Sequence, residues 1–374
     1  MAIKKDRSEL PTSKPQAGGG WQPDEETIFG PLLINAFKEM EGERPDKERH
    51  YVSPSNALSC ARQLSYRAAG TPGKPMEPSG WWVTSLGKFV HRVLEDALLD
   101  EFGPEGCTPE AMIGTKVPLL DDEHAPQCEQ CQRQMVADIA EWYCEFHPDE
   151  SAPMKYRVEP EILTLTVMVD GEPTQVDVPI IGYGDIWIHT DEISKVTDYK
   201  TVGGYGYKMA IGERGEAEGP KRDALFQAAI GARFFGAQDV SVVNLARDAI
   251  SVAIAQRKGF DEWRRFISEW TVPLDSIVEE VEAELVRMWR VNRLWHEEGL
   301  LAARRVPGVP VEISNPKTGG WAQKEEVDGK ERLVASGEFW GCSYCAWQDS
   351  CIAAGPGRVP LPNGTTQDDP GAGT

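Results

Sequence analysis

The sequence lacks three features that would each have assigned it to a class of protein. It has no excess of basic residues, because 39 Lys and Arg stand against 60 Asp and Glu for a net charge of −21, which excludes a basic nucleic-acid coat protein. No stretch approaches the run of roughly 20 apolar residues that a membrane helix needs. The first twenty residues contain no apolar core of a secretory signal. We therefore expect a cytoplasmic protein that does not enter a membrane.

The chain also lacks internal repeats and a GxxxxGK[ST] phosphate loop, so we expect no built-in ATP motor of that kind. With 40% apolar residues and 12 Trp, however, it can bury a large core. Residues 1–30 and 355–374 are rich in Gly and Pro and show no apolar periodicity. We interpret them as a flexible arm and a disordered tail, which leaves one folded domain over residues 31–354.

Apolar spacing predicts an α/β or α+β domain. A helix should begin at Ser53-Pro54-Ser55-Asn56 and include Cys60, because Pro is favourable in a first helical turn. Further helices are predicted over residues 84–101, 221–235 and 274–298, where apolar residues recur every three or four positions. Strands are predicted over 158–169, 176–189 and 192–201 as an antiparallel meander, and over 240–246 and 250–255.

The predicted hairpin of residues 180–201 carries two acids and a lysine. Asp198 and Lys200 are two residues apart and share one face of their strand. If the turn is at residues 189–192, the partner of Asp185 is residue 197 or 198, and directly opposed side chains lie about 5 Å apart at Cβ. Two carboxylates at that distance repel each other unless a hard cation such as Mg²⁺ binds between them. The alternative is that Asp198 and Lys200 form a surface ion pair of little energetic consequence.

Eight cysteines in a chain expected in reducing cytosol indicate metal binding or catalysis more than disulfides. Cys342, Cys345 and Cys351 have the spacing C-x2-C-x5-C, and Cys60 can supply a fourth thiolate. Four thiolates suit either an iron–sulfur cluster or tetrahedral zinc. Joining the two ends of the chain would close a very long loop, so the group should act as a structural clasp.

A second set of candidate metal ligands lies in the middle of the chain. Cys128 and Cys131 have His124 upstream and Cys144 and His147 downstream. Such spacing is compatible with a zinc knuckle. Ordinary thiols without a metal are the alternative.

The order of six segments resembles the RecB-type branch of the PD-(D/E)XK nucleases, and in particular members with a four-cysteine iron–sulfur cluster. These members include AddB-type nuclease domains and the iron–sulfur exonucleases of CRISPR adaptation, with relatives in phages. The segments are SPSNALSCARQLSY, GKFVHRVLEDAL, IIGYGDIWI, VTDYKT, DALFQAAIGARFF and CSYCAWQDSC. The match spans residues 51–353 and implies a restriction-endonuclease-like core, with a mixed central sheet flanked by helices and a helical iron–sulfur region. It places the protein in bacterial or phage-infected cytosol.

The resemblance implies a role for specific residues. His91, Asp185 and Asp198 would bind Mg²⁺ or Mn²⁺, with Tyr199 as a ligand through its backbone carbonyl. Lys200 would be the catalytic lysine, and Gln227 would match a glutamine on the following helix. Cys60, Cys342, Cys345 and Cys351 would bind a [4Fe-4S] cluster.

The implied activity is metal-dependent exonucleolytic cleavage of single-stranded DNA or duplex ends, in recombination, repair or phage DNA processing. The alternative is a non-catalytic DNA-binding or scaffold subunit, working with recombination or CRISPR-adaptation partner proteins. The chain departs from the family pattern at Ile230 and Gly231, where the family has a Tyr. An upstream acid is also expected, and either Glu159 or Glu161 can supply it.

DNA contacts must come from local surface, because the net charge is negative. The predicted loop of residues 202–208 brings Tyr205, Tyr207 and Lys208 beside the proposed metal, a composition suited to stacking unpaired bases. A plain mobile loop is the alternative. Arg62, close to the first cysteine, is a further candidate for DNA contact.

Overall fold

The computed structural model describes residues 48–74, 76, 78–119, 125–137, 141–154, 156–169, 171–213, 216–303, 311–312, 321–327, 330–335, 345–354 and 357–360. The predicted arm of residues 1–30, His124 and Cys342 lie outside these ranges. The chain divides into two compact units, one of Met1–Pro45 with Met76–Lys88 and the other of Asp46–Pro75 with Phe89–Thr374. The features analysed below belong to the second unit.

The described residues contain α-helices and short β-strands, which are numbered in chain order. The helices are α1 (Ala61–Ala68), α2 (Pro78–Phe102), α3 (Gly204–Ala210), α4 (Arg222–Phe235), α5 (Val252–Lys258), α6 (Val278–Glu298) and α7 (Gln348–Ala354). The first strands are β1 (Cys107–Ile113), β2 (Thr115–Pro118), β3 (Val136–Ala137), β4 (Glu141–Cys144), β5 (His147–Pro153), β6 (Tyr156–Glu159), β7 (Glu161–Val169) and β8 (Glu172–Ile180). The remaining strands are β9 (Gly182–His189), β10 (Ser194–Val202), β11 (Asp239–Ala246), β12 (Ile267–Pro273), β13 (Leu300–Leu301), β14 (Val311–Glu312), β15 (Trp321–Val327), β16 (Lys330–Ala335) and β17 (Val359–Pro360). None of the helices described is long and apolar enough to cross a membrane.

A five-stranded mixed sheet with the order β1-β9-β10-β11-β12 forms the centre of the second unit. Strands β10 and β11 are parallel, whereas the other neighbouring pairs are antiparallel. A parallel pair requires a crossover connection, and α3 and α4 lie in this one. The protein is therefore of the mixed α/β type, in agreement with the predicted class.

Helix α4 packs closely on the central sheet because the residues at the contact are small or apolar. Ala228, Ala229 and Ile230 are buried in the main core. A Cβ atom added to Gly231 would lie 3.3 Å from Cγ1 of Val196 on β10, so only glycine allows the observed separation without adjustment. The helix thus holds its neighbouring side chains directly over the strand that carries Asp198 and Lys200.

The predicted strand over residues 176–189 is divided between two sheets. Its first part, β8, pairs with β7, and its second part, β9, belongs to the central sheet. The division is at Ile181, whose backbone N donates to the carbonyl of Val52 at 3.1 Å. A Cβ at Gly182 would collide with the ring of Pro54, which explains why glycine follows the division.

Three other local predictions are wrong. Residues 252–258 form helix α5 instead of a strand, because Ser251 caps the helix by accepting from the backbone N of Ile254. Cys60 is the residue before α1 and lies outside the helix. The disordered tail does not begin at residue 355, because β17 pairs with β13.

Candidate active site

Asp185 is held against β10 by a hydrogen bond that replaces strand pairing. The ladder between β9 and β10 ends at the pair Thr197↔Ile186, one pair before Asp198 and Asp185. Beyond it, Oδ2 of Asp185 accepts a hydrogen bond from the backbone N of Tyr199 at 2.7 Å. The carboxylate is therefore fixed beside the backbone that carries Asp198, which agrees with the predicted register.

His91 projects from α2 towards the same point. Its Nε2 lies 3.2 Å from the carbonyl oxygen of Tyr199, and its Nδ1 lies 4.0 Å from Oδ2 of Asp185. The ring of His91 also meets the ring of Tyr199 edge-on, with centroids 5.5 Å apart. An imidazole, a carboxylate and a backbone carbonyl thus converge from α2, β9 and β10, and they are three of the predicted metal-binding groups.

Asp198 and Lys200 form a pair whose members differ in exposure. Nζ of Lys200 lies 2.8 Å from Oδ1 of Asp198, and the Lys200 side chain is 37% exposed against 2% for Asp198. The same Nζ donates to Oε1 of Gln227 on α4 at 3.3 Å. The two hydrogen bonds fix the position of the ammonium group, while the Lys200 side chain keeps part of its surface exposed.

Burial dominates the chemistry of Asp198. Desolvation raises its pKa to about 7, with a further upward contribution from the charge of Asp185 and an opposing one from Lys200. Oδ2 of Asp198 is buried and has no hydrogen-bond partner among the described residues. A buried carboxylate oxygen without a partner is costly, and a cation is the ligand that would satisfy it.

The donor set fits a hard divalent cation. Carboxylate and carbonyl oxygens are the ligands preferred by Mg²⁺, and an imidazole among them favours Mn²⁺ as well. The residues that offer these groups are His91, Asp185, Asp198 and Tyr199.

Two acids that were not predicted from the sequence lie near this site. Glu95 follows His91 by one helical turn, and burial raises its pKa, assisted by the charges of Glu110 and Asp185. Glu110 lies on β1 between the pairs Pro109↔Ile186 and Ala111↔Gly184, which places it opposite Asp185. The φ angle of Glu110 is 43°, in the left-handed region, which is unfavourable for a non-glycine residue. Residues in such strained conformations are often found at functional sites. The spacing of four between His91 and Glu95 was the available signal in the sequence.

The two acids that were candidates for the upstream position have other partners. Glu159 on β6 pairs with Arg157 at 2.7 Å. Glu161, at the start of β7, accepts a hydrogen bond from Thr115. Among the described acids, Glu95 and Glu110 are better placed than either of them to act with Asp185.

The departure at Ile230 and Gly231 has a structural explanation. Ile230 is completely buried in the main core, and Gly231 contacts Val196 too closely to accept a side chain without adjustment. Neither position can contact DNA. Gln227, one turn earlier, instead contacts Lys200.

The predicted loop after β10 is helix α3, and its residues differ in accessibility. Tyr207 is completely buried, and its hydroxyl donates to the carbonyl of Arg264 at 2.9 Å. The prediction that Tyr207 stacks on DNA bases is therefore wrong. Tyr205 is exposed and Lys208 is partly exposed, so both stay predictions as DNA contacts.

Arg62 is likewise an interior residue. It is 1% exposed, and its guanidinium donates to the carbonyls of Ala302 and Gly357. The prediction of a DNA contact at Arg62 is wrong because the group is inaccessible. Arg62 instead joins α1 to residues near both β13 and β17.

We expect Arg62→Ala to lower the free energy of unfolding by about 2–4 kcal/mol, because the buried carbonyl of Ala302 and the carbonyl of Gly357 lose a charged donor. Urea denaturation followed by circular dichroism measures this effect. Arg92→Ala, at an exposed position of α2, is the matched control and should change stability by less than about 0.5 kcal/mol. Equal stability of the two variants would contradict the assigned role of Arg62.

Three of the four cysteines at the chain ends lie in the described residues. Cys345 and Cys351 pack in a small apolar cluster with Tyr66 and Trp347. Burial raises the pKa of Cys345, and the thiol of Cys60 contributes to this rise, so Cys60 and Cys345 are near each other. Trp347 is buried and stacks on Tyr66 with ring centroids 6.2 Å apart.

Comparisons with known proteins add little to this geometry. No family model matches the chain, and no curated protein matches it. One similar solved structure is the crystal structure of SSO0001, with 15% identity, a TM-score of 0.40 and coverage of 87% of this chain and 97% of that chain. Another is an alkaline exonuclease (LHK-Exo) from Laribacter hongkongensis, with 12% identity, a TM-score of 0.32 and coverage of 67% of this chain and 91% of that chain. Because both TM-scores are below 0.5, neither likeness assigns the fold or the activity of this protein.

Proposed function

We propose that this protein is a metal-dependent DNA exonuclease with a PD-(D/E)XK core, acting on single-stranded DNA or duplex ends. The observation that carries the proposal is one arrangement on adjacent strands. Asp185 accepts a hydrogen bond from the backbone N of Tyr199, and His91 contacts the carbonyl of the same residue. The residues on either side of Tyr199 are a buried acid and a lysine in contact.

A surface ion pair, the alternative for Asp198 and Lys200, explains this arrangement poorly. Asp198 is 2% exposed, its second oxygen has no partner in the described part of the chain, and the charge of Asp185 acts on it unfavourably. Groups whose charges are mutually unfavourable until a ligand binds are typical of active sites.

His91, Asp185, Asp198 and the carbonyl of Tyr199 would hold a Mg²⁺ or Mn²⁺ ion. Such an ion, when bound, supplies an acidified water and compensates negative charge on the phosphate. The backbone N of Tyr199 and the carbonyl of Tyr199 keep Asp185 and His91 in place. Glu95 and Glu110 add negative charge at the same site and can orient water there.

Lys200 provides the positive charge that the phosphodiester requires. Because Asp198 and Gln227 hold its ammonium group at 2.8 and 3.3 Å, little side-chain entropy is lost when a phosphate oxygen binds. A fixed ammonium group stabilises the charge that accumulates on phosphate oxygens during hydrolysis.

We also propose that Cys60, Cys345 and Cys351, with Cys342, hold a [4Fe-4S] cluster of structural function. The closeness of Cys60 and Cys345 supports this. Four thiolates are the ligands that such a cluster takes.

Digestion of end-labelled DNA tests the proposed activity. We expect the protein to release nucleotides from single strands or duplex ends with Mn²⁺ or Mg²⁺. It should release none with EDTA, because the proposed hydrolysis requires a cation bound by Asp185 and Asp198. Substrates labelled at the 5′ or the 3′ end determine polarity. Binding of DNA without any cleavage in Mn²⁺ would contradict the proposal and favour a non-catalytic scaffold subunit.

A further inference from the structure

A small module stands apart from the proposed active site. Strands β2 and β6 pair with each other, and the described chain between them forms the three-stranded sheet β3-β4-β5. This insertion, residues 125–154, has its own apolar cluster, which includes Met135, Trp142 and Met154. We refer to it as the insertion module.

The insertion module is too small for its apolar cluster to stabilise it alone. Folded units of fewer than about 40 residues generally need a disulfide, a metal or a partner. None of the seven cysteines that the structure describes forms a disulfide. Two of the five buried members of the cluster are cysteines, Cys128 and Cys144, so thiols occupy the centre where a larger core would have aliphatic side chains.

Two tight turns bring four metal-binding groups together. The first turn closes where the backbone N of Gln132 donates to the carbonyl of Cys128 at 2.8 Å, which sets Cys128 beside Cys131. The second is the end of the β4-β5 hairpin, where Cys144 pairs with His147. The order is therefore C-x2-C-x12-C-x2-H, in which each turn supplies two ligands.

The distances between these atoms match the edges of a metal tetrahedron. Sγ of Cys131 and Sγ of Cys144 are 3.7 Å apart, and Nδ1 of His147 lies 3.4 Å from Sγ of Cys128 and 3.7 Å from Sγ of Cys144. All four atoms lie within 4.8 Å of one another. A zinc ion with bonds of about 2.3 Å to sulfur and 2.0 Å to nitrogen requires edges of roughly 3.5–3.8 Å. A disulfide would instead need about 2.05 Å between sulfurs.

We propose that Cys128, Cys131, Cys144 and His147 bind one structural zinc ion that stabilises the insertion module. Three thiolates and an imidazole form a closed tetrahedral shell of soft and borderline donors, which selects zinc over Mg²⁺. With four protein ligands no position is open for a substrate or water, so the role is structural. The inference does not depend on the proposed nuclease activity.

Metal analysis of the full-length protein tests the site. We expect about one zinc per chain by inductively coupled plasma mass spectrometry, with Cys131→Ala losing it. Cys107→Ala is the matched control, because Cys107 is also buried but belongs to a different cluster, and it should keep the zinc. His147→Cys preserves four ligands and should keep the zinc as well, whereas His147→Ala should lose it.

X-ray absorption at the zinc edge of the wild-type protein provides a test that needs no variant. The expected shell has three sulfurs and one nitrogen. A shell of four sulfurs would place the zinc at Cys60, Cys342, Cys345 and Cys351 and overturn the inference, as would a protein without zinc or zinc retained by Cys131→Ala. The Lys200→Ala variant, which we expect to be impaired in cleavage, should contain the same amount of zinc. Zinc content and DNA cleavage are therefore separate measurements, and a failure of the nuclease proposal can be distinguished from a failure of the zinc proposal.

Discussion

Lys200→Ala should reduce the rate of DNA cleavage by a factor of about a thousand or more, because it removes a fixed positive charge from a partly buried site. Nζ of Lys200 lies between Asp198 and Gln227, and no other described lysine or arginine forms a salt bridge to Asp198. The measurement is the initial rate of nucleotide release from end-labelled single-stranded DNA in Mn²⁺. Circular dichroism and iron content should match those of the wild type, since the side chain lies at the edge of the site.

Lys116→Ala is the control for this variant, because Lys116 is an exposed lysine on β2. It should leave the rate within about twofold, as expected of a surface substitution. Cleavage retained by Lys200→Ala at the level of Lys116→Ala would remove the proposed mechanism, even if the protein is a nuclease.

Asp198→Asn should abolish cleavage without destabilising the metal-free fold. In EDTA, the asparagine retains a side-chain oxygen that can accept the hydrogen bond from Lys200. The substitution also removes a buried negative charge that the charge of Asp185 repels. In excess Mn²⁺, the wild type should gain about 2.7 kcal/mol of stability at a metal concentration 100 times Kd, and the variant should gain much less. Thermal unfolding with Mn²⁺ and with EDTA measures both effects.

The difference in stability between the wild type and Asp198→Asn should depend on pH in a defined direction. Burial raises the pKa of Asp198 to about 7, above the value near 4 of an unfolded chain. Protonation of Asp198 therefore favours the folded state, and this contribution is fully present below about pH 4 and is lost as the pH rises towards 7. In EDTA, the wild type should lose stability relative to Asp198→Asn across that range.

A structural ion pair between Asp198 and Lys200 would give the opposite results. Breaking such a pair would lower the free energy of unfolding by about 1–3 kcal/mol in EDTA, and Mn²⁺ would have no selective effect. Asp177→Asn is the control, because Asp177 is an exposed acid of β8 that accepts a hydrogen bond from Thr164. Its response to Mn²⁺ should equal that of the wild type.

Local patterns predicted those elements whose stability comes from one continuous apolar face. Helix α4 was predicted over residues 221–235 and observed as Arg222–Phe235. The long helix was predicted from residue 274 and observed as α6 from Val278, after a short 3₁₀ turn. The strand register that places Asp185 near Asp198 also followed from the sequence, because strand periodicity and the position of the turn determine the register.

The surroundings of polar residues could not be predicted in the same way. Arginine and tyrosine are residue types that often contact DNA. Arg62 and Tyr207 are nevertheless buried, and each donates a hydrogen bond to a backbone carbonyl. Those carbonyls belong to residues 57 to 295 positions away. Sequence spacing carries no signal for such partners.

By itself, the sequence determined which residues are candidates for the proposed chemistry: Asp185, Asp198 and Lys200 on one hairpin, and the two groups of cysteines. Only the tertiary structure decided which of them meet. It brought His91 within 3.2 Å of a carbonyl 108 residues away, added Glu95 and Glu110 to the site, and gathered Cys128, Cys131, Cys144 and His147 into a shell within 4.8 Å. The physical reason is that periodicity specifies the face on which a side chain lies, whereas the packing of distant elements specifies what lies opposite that face.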